Sequence, residues 1–110
     1  MNRSKIIEKI FKRILSNGVI SSKGDILSDD PIEDKVYTKR ININKDYTFK
    51  NCVDIVEVVS VCITSDNESL SDVNENNVRI NMKNRAGSWI NIFLYEAPDE
   101  LIEFVYNCIK

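Results

Sequence analysis

Apolar residues recur at helical spacing near the start of the chain. Ile6, Ile7, Ile10, Phe11, Ile14 and Leu15 fill one continuous arc of a helical wheel, with Lys5, Lys9, Lys12 and Arg13 opposite. The spacing predicts an amphipathic helix over residues 3–16. Asn17-Gly18 offers a left-handed residue to end it, and Lys12 and Arg13 complement the C-terminal end of its dipole. At the far end of the chain, Ala97-Pro98-Asp99-Glu100 places a proline at the first helical position and acids in the first turn. Leu101, Phe104, Val105, Cys108 and Ile109 then share one face, so a second terminal helix is predicted.

Between the helices the period changes to two. Val78-Arg79-Ile80-Asn81-Met82-Lys83 alternates cleanly, Asn84-Arg85-Ala86-Gly87 supplies a turn, and residues 88–95 return as a strand. Residues 35–43 carry the branched and aromatic side chains of another strand, with Asn44-Lys45-Asp46 as a hairpin loop into Tyr47-Thr48-Phe49. Residues 18–33 are rich in turn formers, with room for one short strand at Val19–Ser21 or Asp25–Leu27. Residues 51–63 support two readings. Seven β-branched residues favour a buried strand, whereas Asp54, Glu57 and Ser60 recur at helical spacing. The strand is favoured, and it would send Asp54 and Glu57 to opposite sides of a sheet. The expected fold is α+β: an antiparallel sheet of four to six strands with the N- and C-terminal helices packed on one face.

Length and composition narrow the chemistry. One hundred and ten residues suit a single domain, 1–110, with one core. There is no histidine, which removes Ser-His-Asp and Cys-His nucleophile pairs and any zinc site that needs imidazole. Three glycines leave no phosphate cradle. Cys52 and Cys62 lie in one apolar run, about 33 Å apart if extended and about 15 Å if helical, so they cannot bridge. Reduced, buried thiols suit a cytoplasmic protein, and no run of apolar residues is long enough to span a membrane. No catalytic residue, cofactor or metal site is expected. Residues 66–75 have the acids of a calcium loop without its turn glycine or terminal glutamate at the required offset.

Charge is sorted into blocks. The net value is −2, but it alternates as +5 over residues 1–24, −5 over 25–34, +4 over 35–50, −6 over 51–77, +3 over 78–95 and −3 over 96–110. Such blocks either pair across the fold or stand as separate patches. The acids Asp66, Glu68, Asp72 and Glu75 fall in a polar stretch that reads as one long loop. Trp89, Phe93 and Tyr95 share one parity of the last strand, with Ile90, Ile92 and Leu94 on the other. If the helices cover the aliphatic side, the aromatic side either lies beneath the rest of the chain or is exposed as a contact surface. Arg79, Lys83 and Arg85 lie close in sequence, as on a sheet that stacks single-stranded nucleic acid, but the acidic pI of about 5.2 argues against a nucleic-acid partner.

These readings point to a non-catalytic cytosolic binding protein that neutralises a partner protein. Its contacts would come from Asp66, Glu68, Asp72, Glu75, Trp89, Phe93 and Tyr95, with an acidic surface steering onto a basic partner and aromatic anchors prolonging the complex. In size, acidity and lack of catalytic motifs the chain resembles bacterial immunity proteins, small antitoxin-type domains that cap the active site of a basic toxin such as a nuclease. The alternative is a type III secretion chaperone escorting an effector, to which the chain is similar only if residues 52–63 are helical. Neither nucleic acid nor membrane is an expected partner, and the sequence leaves the oligomeric state open.

Overall fold

A computed structural model describes residues 2–21, 37–48, 54–65 and 73–110. Helix α1 spans Arg3–Asn17, and the strands are β1 (Val19–Ser21), β2 (Tyr37–Asp46), β3 (Ile55–Ser65), β4 (Val78–Asn84) and β5 (Trp89–Phe93). Single 3-10 turns at Glu75–Asn77 and Leu94–Glu96 precede β4 and follow β5, and α2 spans Asp99–Ile109. The strands form one antiparallel sheet in the order β1-β2-β3-β4-β5. The α+β arrangement expected from the sequence is the one observed.

Both helices lie on one face. Ile7, Ile10 and Ile14 of α1 and Leu101, Ile102, Val105 and Ile109 of α2 close over Val58, Val61 and Ile63 of β3 and Val78, Ile80 and Met82 of β4. Cross-strand partners share a face, so this side continues through Ile90 and Ile92 of β5 and Ile41 of β2. Tyr47 meets Phe104 of α2 edge to face, their ring centres 4.5 Å apart. Asn2 caps α1 by accepting from the Lys5 amide, and the Pro98 carbonyl begins α2 by accepting from Leu101 and Ile102.

The end of α1 departs from expectation. Gly18 has φ −68° and ψ 152°, which is extended and not left-handed. Glycine is needed there for closeness: a Cβ would sit 2.6 Å from the Ile14 carbonyl oxygen and 2.9 Å from Lys39 Cγ. Of the last carbonyls of α1, Ile14 accepts from the Gly18 amide at 2.8 Å and Leu15 accepts from Lys39 of β2. Arg13 serves the other helix, its Nε donating to the Ile109 oxygen at 2.9 Å. Pro98 stands one position before α2, not at its first helical residue.

Two further expectations are corrected. Residues 44–46 do not form a hairpin loop. β2 runs on to Asp46 past a bulge between Asn42 and Lys45, where Asn44 takes the left-handed conformation at φ 49°. The last strand ends at Phe93, because Leu94 turns inward to full burial and carries Tyr95 into a 3-10 turn. Residues 55–65 are strand, which removes the helix on which the likeness to secretion chaperones depends. Of the two short-strand positions, Val19–Ser21 is a strand, and Asp25–Leu27 lies outside the described residues.

Candidate functional site

The face turned away from the helices is built by the alternate residues. Register places Thr38, Arg40 and Asn42 of β2 beside Thr64, Cys62 and Ser60 of β3. Cys62, Ser60 and Glu57 in turn stand beside Arg79, Asn81 and Lys83 of β4. Those three face Phe93, Asn91 and Trp89 of β5. The centre of this face is polar yet buried. The Asn81 amide donates to Ser60 Oγ at 2.9 Å and to Cys62 Sγ at 3.5 Å, while its buried carbonyl oxygen has no hydrogen-bond partner among the described residues.

The β5 side of the same face is open. Trp89 is 59% exposed and Tyr95 46% exposed, and Phe93 is half-buried. Each strand ring is matched with a cation from β4: the Arg79 guanidinium carbon lies 4.4 Å from the centre of Phe93, and Lys83 Nζ lies 4.7 Å from the centre of Trp89. These are in-register cross-strand pairs, so the contact follows directly from the hairpin. Asn84 fixes that register. Its amide donates to the Ser88 carbonyl, its side chain accepts from the Ser88 amide, and Gly87 takes φ 80° to close the turn. Tyr95 has left the strand but stacks on Phe93, with centroids 5.4 Å and planes 17° apart. The three aromatics proposed from parity therefore do lie along one side of the sheet.

The acidic residues divide. Glu75 is exposed on the 3-10 turn before β4, and that turn lies against the Leu94–Glu96 turn. Glu75 thus belongs to the same corner as Tyr95 and the exposed Glu96. Asp66, Glu68 and Asp72 lie outside the described residues. Glu96 had no signal in the sequence beyond its charge, because its place in this corner depends on the chain leaving the sheet at Leu94. Arg3 ties the corner to α1, its guanidinium bonded to Asp99 at 2.8 Å and to the Tyr95 carbonyl oxygen. Among the described residues no three His, Cys, Asp or Glu side chains gather as metal ligands would, and Cys62 and Cys108 are free thiols. No described helix is long and apolar enough to cross a membrane.

A second feature lies on the helical side. A shallow groove of about 360 Å³ between α1 and α2 is lined by Lys9, Lys12, Arg13, Ser16, Tyr106 and Lys110. Arg13 is engaged with the last turn of α2, where a cation opposes the negative end of the helix dipole. Lys12 is paired with Glu8 at 2.8 Å, which holds the Glu8 carboxyl below its ordinary range and raises the lysine.

No family model, curated protein or solved structure matches this chain.

Proposed function

We propose that this chain is a non-catalytic cytoplasmic binding protein that neutralises a partner protein, of the immunity type that blocks a basic toxin such as a nuclease. The observation that carries the reading is the exposure of Trp89 and Tyr95 on the uncovered side of β5. Large aromatics are costly to leave in water and dominate binding energy when a partner covers them. The exposed carboxylates Glu75 and Glu96 flank Tyr95 and give this corner the sign that attracts a basic surface. Arg79 gives the Phe93 side the opposite sign, and Lys83 with Glu57 beside it leaves the Trp89 end near neutral, so the partner places its basic region on the Tyr95 corner and a neutral region over Trp89.

The test begins with the immobilised chain, from which a bound basic protein is eluted and identified. Its activity is then assayed with increasing amounts of the free chain. The reading requires inhibition complete at one-to-one stoichiometry, and loss of both capture and inhibition in the Trp89→Ala/Tyr95→Ala variant. Undiminished toxin activity at saturation, or capture unaffected by the two substitutions, refutes it.

A further inference from the structure

We infer that β5 is also the self-association edge of the molecule, and that two copies pair their β5 strands antiparallel about a two-fold axis through Asn91. The backbone geometry comes first. Asn84 N–H donates to the Ser88 carbonyl, so Ser88, and by alternation Ile90 and Ile92, direct their backbone groups toward β4. Trp89, Asn91 and Phe93 then direct theirs away from the sheet. Among the described residues β5 pairs with β4 alone, so the three amides and the carbonyls of Trp89 and Asn91 stand at an open edge, while the Phe93 carbonyl opens the Leu94–Glu96 turn.

Proteins blunt such edges with charge, proline, bulges or extreme shortness. The opposite edge, β1, has three residues. β5 has five, reads Trp-Ile-Asn-Ile-Phe, and carries neither charge nor proline nor bulge.

Those five residues are palindromic by class, which is what a two-fold pairing demands. Centred on Asn91, the register sets Trp89 beside the other copy's Phe93, Ile90 beside its Ile92, and Asn91 beside its own equivalent. Aromatic meets aromatic on the open face, and isoleucine meets isoleucine on the helix side, where Ile90 and Ile92 already join the core margin. Because Asn81 and Asn91 are cross-strand neighbours, four asparagines line up across the axis. Asn91 exchanges two backbone hydrogen bonds with its equivalent, and the Phe93 N–H of each copy meets the Trp89 carbonyl of the other. Lys83 of one copy stands three strand spacings, about 14 Å, from Arg79 of the other, beyond a physiological Debye length of about 8 Å. A foreign strand would meet this edge without the class symmetry, so the occupant favoured here is a second copy.

Residue 91 provides the test, because it is exposed and faces only itself across the axis. Sedimentation equilibrium of the whole chain from about 1 µM to about 500 µM covers the range in which a small interface equilibrates. The mass should rise from 12.7 kDa toward twice that value. Asn91→Lys and Asn91→Glu each set like-charged side chains directly opposite one another at the axis, on Cα atoms about 5.5 Å apart, and each should stay at the monomer mass. An equimolar mixture of the two should recover the doubled mass. The inference is overturned if the native chain keeps the monomer mass throughout, if either variant doubles like the native chain, or if the mixture does not. Partner capture by the monomeric variants is read separately, so this result and that of the toxin assay can fail independently.

Discussion

Trp89 is the only tryptophan, which makes it both the residue to perturb and the probe of its own environment. At 59% exposure, about 40% of its surface is covered by the fold. A tryptophan buries up to about 250 Å², so truncation to alanine removes roughly 75–100 Å² of covered area, or about 2 kcal/mol at ~25 cal/mol/Å². Residual collapse of the unfolded chain lowers this figure, and loss of the Lys83 contact restores about 0.5 kcal/mol. Trp89→Ala should therefore cost about 1.5–2 kcal/mol in urea unfolding followed by far-UV circular dichroism. A fully buried aromatic would cost about 3–5 kcal/mol. The same substitution at a binding anchor typically costs at least about 2 kcal/mol of affinity, a factor of about 30. In the native chain, acrylamide should quench the tryptophan readily, and adding the partner should protect it. A loss above about 3 kcal/mol, together with weak quenching, would place Trp89 in the core and remove the main support for a contact surface.

Three other outcomes follow from particular contacts. Ser60→Ala strips the Asn81 amide of its oxygen acceptor inside the sheet and should destabilise by about 1–3 kcal/mol. Adding Asn81→Val should recover most of that loss by removing the unmatched carbonyl as well, and additive losses in denaturant midpoints would refute the pairing. Gly18→Ala should lower stability by about 1–3 kcal/mol, because its Cβ presses on the Ile14 oxygen and on Lys39. At a site with room, alanine at this φ would instead stabilise, so the sign of the change in melting temperature decides. Glu8 is hydrogen-bonded by Lys12, which lowers its carboxyl pKa from the ordinary 4.5. Its contribution to stability is thus present above pH 4.5 and lost as pH falls through the lowered value. A carboxyl-resolved NMR titration should show that shift, and Lys12→Met should remove most of it, leaving the weaker pull of Lys5.

How far the fold is legible in the sequence depends on whether a segment's period survives in the structure. α1 and the β4–β5 hairpin keep theirs, and both stand close to where the pattern puts them. β3 does not. Opposite Lys83-Met82-Asn81, β3 runs from Glu57 through Val58 to Ser60, so Val59 is an extra residue, and Val56 is another between Ile55 and Glu57. Each extra residue resets which face the next side chain takes. Glu57 and Ser60, three apart, consequently share the outer face, and this produced the helical spacing of polar residues that left the segment ambiguous. The bulge at Asn44 likewise made a continuous strand resemble a hairpin loop. The site was partly legible for the same reason. Trp89 and Phe93 share parity on an unbulged strand, whereas the place of Tyr95 depends on a 3-10 turn and that of Glu75 on the contact between two such turns.

The charge blocks offered two outcomes, mutual neutralisation or separate patches, and on the described surface the arrangement at β5 favours patches. The acidic C-terminal block meets the basic N-terminal one at Arg3 and Asp99. The basic block at 78–95 behaves differently: Arg79 and Lys83 lie over Phe93 and Trp89. A cation held on a ring keeps its full charge, and because Glu57 stands beside Lys83 the net positive charge of this aromatic stripe lies with Arg79, next to the negative Glu75–Glu96 corner. That polarity limits what fits. A uniformly basic partner gains at one end and loses at the other, whereas one of matching polarity gains at both and is oriented before contact. Pairing through β5 would strengthen the effect, because the two-fold axis joins the stripes of two copies at the centre and carries the acidic corners to opposite ends. The dimer would then present two outward acidic sites separated by a shared cationic and aromatic platform, each able to hold its own basic partner.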